Sequence, residues 1–301
     1  MKTQNQPVHL AILKEKKVSL TIKREDLIHP LISGNKFRKL KYNLTEAKKS
    51  GFDTVLTYGG AYSNHIAATA YAGKESGFKT VGVIRGEELV DKWQENLTLK
   101  LAHENGMQFH FVSRDAYRNK ENPSEIDNLK AMLGSFYRLP EGGSNDLAVQ
   151  GCEEILTEAD AAFDFICVSV GTGGTIAGII NARNSKQRVL GFPALKGDFL
   201  KEDIRKFTNK ENWELQTDYH FDGYAKVTTE LIDFINEFRC ETQISLDPIY
   251  TGKLIFGILD MVKKGQFLPN TNILAIHTGG LQSIAGMNTK LKKKNLPLIQ
   301  I

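Results

Sequence analysis

The sequence predicts an α/β chain made of two open-sheet halves that meet at a cleft. Short apolar runs alternate with helical patterns, which is the mark of strand–helix–strand units and a parallel sheet. The alternation runs twice, first from about residue 53 to 133 and again from about residue 146 onward. Glycine-rich turns follow several strands, at the carboxyl ends where open α/β sheets bind their cofactors.

In the first series Asp53–Tyr58 reads as a strand, followed by a glycine turn and a helix over Ser63–Ser76. Thr80–Ile84 is the second strand, and Asn96–Glu104 opens the next helix. Met107–Val112 is the third strand and Ile126–Leu133 is helical. In the second series the helix Leu147–Leu156 precedes the strand Phe163–Val170, a glycine-rich loop and the helix Thr175–Ala182. Arg188–Gly191 is a strand, Thr228–Phe238 and Gly252–Lys263 are helices, and Asn272–His277 is a strand ending in another glycine turn.

With 301 residues the chain can bury a substantial core, and 41% hydrophobic and 25% charged residues are ordinary for a globular protein. The net charge of +4 is mild. The densest basic run, Lys290–Lys294, lacks interleaved aromatics and reads as a solvated face, which argues against nucleic-acid binding. The polar N-terminus does not resemble a signal peptide, and no run reaches the roughly 18 to 20 apolar residues that cross a bilayer. No membrane partner is expected. Cys152, Cys167 and Cys240 are odd in number, show no metal-ligand spacing, and read as small core residues in a reducing compartment. The expected address is the cytoplasm, with no metal.

Four loops carry the chemistry. Ser33-Gly34-Asn35-Lys36-Phe37-Arg38-Lys39-Leu40 holds a lysine whose amine, once desolvated, can attack an aldehyde cofactor; by spacing alone it is a helix-start residue. Tyr58-Gly59-Gly60-Ala61-Tyr62-Ser63-Asn64-His65 runs from strand to helix. Ser63 suits an N-cap, and the same helix start offers free N–H groups to an amino acid's carboxylate. His65 is a candidate general base, with a packing role the plainer reading. In Val170-Gly171-Thr172-Gly173-Gly174-Thr175 glycines allow close approach to a phosphate and two threonines add hydroxyls. Ile176 stands where a nicotinamide fingerprint wants glycine, so a compact phosphate cup fits better. In Asp247-Pro248-Ile249-Tyr250-Thr251-Gly252-Lys253, Tyr250 is an acid–base candidate if a cation perturbs its phenol, and Thr251 offers a hydroxyl or an N-cap.

Taken with Glu141-Gly142-Gly143-Ser144-Asn145, these motifs in this order resemble the D-cysteine desulfhydrase and 1-aminocyclopropane-1-carboxylate deaminase family, pyridoxal-phosphate enzymes of the tryptophan-synthase-β type. The resemblance covers about residues 20 to 285. It implies two three-layer open-sheet domains: a large cofactor domain from residues 1–44 and 150–301, and a small α/β domain from 45–149. It implies pyridoxal 5'-phosphate, a small amino-acid substrate and a homodimer. Position by position, Lys36 would be the Schiff-base lysine, Asn64 would bond the cofactor's ring hydroxyl oxygen, and Gly171, Thr172, Gly173, Gly174 and Thr175 would hold the phosphate. Ser63, with Asn64 and His65 beside it, would take the substrate carboxylate. Tyr224 and Tyr250 would flank the substrate, and Thr251 would face the pyridine nitrogen.

Glutamate stands at the last position in the cyclopropane-opening deaminases of the family, where it keeps the ring nitrogen protonated. Threonine there implies α,β-elimination: D-cysteine to pyruvate, hydrogen sulfide and ammonia. The deaminase of the cyclopropane amino acid is the alternative, and a serine or threonine racemase-dehydratase a further one. A nicotinamide-binding oxidoreductase or a non-catalytic phosphate-ligand sensor would be the reading without pyridoxal phosphate. The loops after Tyr224 (Ala225-Lys226-Val227-Thr228) and after Gly280 depart from the family pattern, and both border the substrate.

Overall fold

The computed structural model describes residues 1–197 and 199–301. Ten strands form two sheets. In chain order they are β1 (Asn5–Val8), β2 (Ser19–Lys23), β3 (Thr54–Gly60), β4 (Lys79–Arg85), β5 (Met107–Val112), β6 (Tyr137–Arg138), β7 (Phe165–Val170), β8 (Arg188–Pro193), β9 (Trp213–Leu215) and β10 (Asn272–Ile276). The larger sheet has the order β1-β2-β10-β7-β8-β9, parallel except for the antiparallel β1–β2 pair at its edge. The smaller is all parallel, in the order β5-β4-β3-β6.

Central parallel strands are covered on both faces, so they read as unbroken apolar runs. In β7, Ile166, Val168 and Val170 point to a cluster with Ile176, Ile179 and Ile180, while Cys167 points to the opposite cluster with Leu231, Ile235, Leu254 and Ile258. β10 alternates in the same way, with Leu274 and Ile276 on the first side and Ile273 and Ala275 on the second. Helices therefore cover both faces, as the family resemblance implies.

The expected strands and helices are present within a few residues at their ends. The β1–β2 pair and the short strands β6 and β9 were not expected. β1 carries Pro7 and polar residues and acquires its strand character by pairing with β2, a contact that no local pattern announces. The sheets draw on chain segments 5–23 with 165–276 and 54–138 respectively. The boundaries read at 44/45 and 149/150 both fall inside helices, Asn35–Lys49 and Asp146–Glu153. These helices cross so closely that a Cβ on Gly151 would lie 2.0 Å from the Arg38 carbonyl oxygen.

Of the three cysteines, Cys152 and Cys167 are buried as expected, but Cys240 is exposed on the helix Thr229–Thr242. Among the described residues no helix is long and apolar enough to cross a membrane.

Candidate active site

The carboxyl ends of β3, β7 and β10 and the start of the helix Asn35–Lys49 converge on one cavity of about 540 Å³, within the usual range for small-molecule sites. Gly34 brings two of these walls together. Its φ is +67°, and a Cβ there would sit 1.8 Å from the Thr278 carbonyl oxygen, so only glycine fits. The next amide, Asn35 N–H, donates to that same oxygen at 3.2 Å.

Helical spacing then puts Lys36 and Lys39 on one face. Both ammonium groups donate to the carbonyl oxygen of Gly142, each at 3.1 Å, and Lys39 also donates to Ser144 Oγ at 2.8 Å. Burial, reinforced by the charge of Lys39, holds Lys36 well below the ordinary lysine range. A buried amine of this kind gives up its proton more readily than an exposed lysine, and the neutral form is the nucleophile. Arg38 points away and forms a two-pronged buried pair with Glu25, at 2.9 and 3.0 Å, which fixes the helix start.

The turn after β7 leads directly into a helix. Gly173 lies at φ +82°, the helix Gly174–Ala182 begins there, and Asn35 Nδ2 donates to Thr175 Oγ1 at 2.8 Å. Thr172 Oγ1 and Ser144 Oγ are 2.6 Å apart. A Cβ on Gly174 would lie 3.3 Å from Lys39 Nζ, so a second buried amine stands beside this turn. The sequence reading passed over Lys39; its signal was the three-residue step from Lys36.

On the small-sheet side, Ser63 Oγ accepts the Ile66 N–H at 3.4 Å and also lines the cavity, so it is both N-cap and wall. Asn64 lines the cavity beside Gly280, where a Cβ would lie 2.7 Å from Asn64 Nδ2. His65 is 1% exposed. Thr57 Oγ1 donates to the Leu139 carbonyl (3.2 Å), so it accepts from His65 Nε2–H (2.8 Å) and leaves Nδ1 without a partner. Burial first, then the charges of Lys36 and Lys39, keeps this imidazole neutral.

Tyr224 and Tyr250 stand edge to face, with ring centroids 6.2 Å apart, and both line the cavity. Tyr250 abuts the phosphate loop: a Cβ on Gly171 would be 3.3 Å from its hydroxyl. Among the described residues no cation lowers the Tyr250 phenol. Burial, with Tyr224 and Asp247, pushes it well above the ordinary value, so it stays protonated.

Thr251 is placed differently from the expectation. It is fully buried and does not line the cavity; its hydroxyl donates to Asp247 Oδ2 at 2.6 Å and accepts from Asp247 N–H at 2.8 Å. Its only proton is thus spent inside the helix start. The hydroxyls that do face the cavity between β7 and β10 belong to Ser169 and Thr278, 3.2 Å apart, and Thr278 was not foreseen. Lys290, read as part of a solvated face, also lines the cavity. Among the described residues no cluster fits a metal ion.

The donor set suits one cofactor chemistry: a desolvated lysine for an aldehyde, and beside it a glycine cup with hydroxyls and a buried cation for a phosphate. Comparison with known proteins agrees. The chain matches the family described as pyridoxal-phosphate dependent enzyme over residues 3–279. It is 32% identical to the bifunctional D-cysteine desulfhydrase/1-aminocyclopropane-1-carboxylate deaminase of Arabidopsis thaliana, over 87% of this chain and 72% of that protein. It is 30% identical to the 1-aminocyclopropane-1-carboxylate deaminase of Allorhizobium ampelinum, covering 90% of this chain and 89% of that one. A crystal structure described as an ACC deaminase homologue superposes with a TM-score of 0.83 at 31% identity, over 97% of this chain and 94% of the other. The chain therefore belongs to the pyridoxal-phosphate-dependent enzymes, in the family of the 1-aminocyclopropane-1-carboxylate deaminases and D-cysteine desulfhydrases.

Proposed function

We propose that the enzyme catalyses α,β-elimination on a small amino acid, with D-cysteine and one water giving pyruvate, hydrogen sulfide and ammonia. One observation carries this reading. Among the described residues the only carboxylate on the cavity wall is Glu141, which pairs with Lys120 at 3.2 Å. Asp247 lies behind the wall, its oxygens occupied by the amides of Ile249, Tyr250 and Thr251 and by the Thr251 hydroxyl. A bound ring would meet hydroxyls rather than an acid, which favours loss of a β leaving group over ring opening. This supports the elimination reading on residues other than Thr251.

Pyridoxal phosphate, when bound, supplies the electron sink that makes the substrate's Cα–H acidic. The chain's own residues do the rest. Lys39 Nζ, Thr172, Thr175 and the amides of the cup would hold the phosphate, and Asn64 would bond the ring hydroxyl oxygen. Ser63 and the N-terminal amides of the helix Asn64–Ser76 orient the carboxylate. Lys36 Nζ would hold the cofactor through its aldehyde, and the same amine would take the substrate's Cα proton. The protonated phenols of Tyr250 and Tyr224 stand ready to donate to the departing sulfur.

The test is a product assay of the holoenzyme on both enantiomers of cysteine and on 1-aminocyclopropane-1-carboxylate. Pyruvate with hydrogen sulfide from D-cysteine is expected, and turnover of only the L-enantiomer would overturn the assignment. The second reading, the deaminase, is favoured by the names of the relatives and predicts 2-oxobutanoate from the cyclopropane amino acid. Borohydride should lock the cofactor onto Lys36, with no such adduct in Lys36→Ala. A homodimer is part of the same reading, and sedimentation tests it.

A further inference from the structure

The cavity has three separate places for negative charge, and the reading above uses two of them. The phosphate cup has Lys39, and the start of the helix Asn64–Ser76 has Ser63. The third place is the mouth, where Arg85 and Lys290 flank the turn that follows β3.

Arg85 ends β4, in register with Gly60, and a Cβ on Gly60 would lie 3.6 Å from its guanidinium. Lys290 comes from the other side of the cleft, on the helix Ser283–Lys293. Both line the same cavity as Lys36. What holds these two cations is unusual. The Arg85 guanidinium lies over the ring of Tyr117 at 5.6 Å, and the Lys290 ammonium over the ring of Tyr62 at 4.0 Å. An aromatic face positions a cation without cancelling its charge.

No carboxylate neutralises either group. Among the described residues neither Arg85 nor Lys290 takes part in an ion pair. The nearest acid on the wall, Glu141, is already matched by Lys120. A low-dielectric cleft lined by charge of one sign focuses its field on whatever enters. The mouth therefore carries two uncompensated positive charges that neither the cofactor's phosphate nor the substrate's carboxylate accounts for.

We propose that Arg85 and Lys290 are specificity-determining residues that select amino acids whose side chain ends in an anionic group. The thiolate form of cysteine is the smallest such substrate; carboxylate, sulfonate and phosphate ends are larger members of the class. The inference rests on the reading of this cavity as an amino-acid site. The α-carboxylate stays with Ser63 and the amides behind it, and the side chain points toward the turn between the two cations.

Two compounds that differ by one charged group provide the test: D-serine and O-phospho-D-serine, each run beside its L-form. Their affinities for the holoenzyme are measured by calorimetry and by the change each causes in the cofactor's visible band. The phosphorylated compound should bind about tenfold or more tightly than the neutral one, the factor expected of a charge-assisted hydrogen bond, and the advantage should shrink as salt is added. In the double variant Arg85→Gln, Lys290→Gln the ratio should fall close to one, and Arg85→Lys should restore part of it.

Equal affinities in the unaltered enzyme would overturn the inference. So would a double variant that weakens both compounds by the same factor, because the cations would then serve the shared α-carboxylate. If no amino acid binds or perturbs the band while the cofactor is in place, the amino-acid reading itself fails. That result is distinct from the other two.

Discussion

Lys36 and Lys39 donate to one and the same acceptor, the Gly142 carbonyl oxygen, at equal distances of 3.1 Å. Two buried amines sharing one oxygen cannot both hold a full charge cheaply, and the second lysine accordingly presses the first toward its neutral form. Under the proposed function the pair divides two jobs, with Lys39 as the cation of the cup and Lys36 as the nucleophile.

Lys39→Met should separate those jobs. Loss of a charge-assisted bond to the phosphate, about 1.5–3 kcal/mol, should weaken cofactor affinity roughly ten- to hundredfold. The Lys36 amine, freed from a neighbouring charge, should titrate at higher pH than in the unaltered enzyme. Equilibrium dialysis of the cofactor and a pH titration of its visible band check the two effects separately.

Thr278 should take the role beside the ring that the family resemblance implies for Thr251. Thr251→Val leaves a buried Asp247 oxygen without its O–H donor and should cost about 1–3 kcal/mol of stability, with the cofactor's band unmoved. Thr278→Val alters the cavity wall and should move the band at a smaller cost in stability. Thermal melts and absorbance spectra of the two variants decide this; a shifted band in Thr251→Val alone would return Thr251 to the ring.

His65 makes the fold sensitive to acid. Its pKa in the folded protein is lowered from an ordinary 6.5, so below about pH 6.5 the unfolded chain binds the extra proton and stability falls as pH falls. The slope from this one site should approach 1.4 kcal/mol per pH unit. Lys36, also lowered, acts with the same sign at higher pH. His65→Gln should flatten the acid limb of the stability curve measured by denaturant melts from pH 7.5 to 5.

Tyr250 is held protonated by burial, so it should not set the basic limb of a pH–rate profile. Tyr250→Phe should lower turnover by roughly 10²- to 10⁴-fold, the usual worth of a general acid. Cofactor affinity should change little, and the position of the basic limb should not change. A basic limb that disappears in the variant would show that this phenol ionises during catalysis.

Much of the fold is written in local pattern. Apolar runs such as Phe165–Val170 are legible because a strand buried on both faces has no polar residue to spare, and the glycine turns after β3, β7 and β10 mark the cleft. The motif around Lys36 pointed to the lysine and its cofactor through family likeness, since a Ser-Gly-Asn-Lys step taken alone is only a helix start. Local pattern also explains the failures. Lys290 looked solvated because its neighbours at 292–294 are charged, and only the cleft brings Tyr62 beneath it.

By itself, the sequence determined which segments become strands and helices and where the glycine turns fall, because these depend on residues close together in the chain. Tertiary structure decided which side chains those turns present to the cavity. The approach of Gly34 to Thr278 brings a hydroxyl forward beside that of Ser169, and the packing of separate chain segments puts Arg85 and Lys290 on the wall of one cavity. Such choices depend on contacts between segments more than two hundred residues apart, and no window of local sequence contains them.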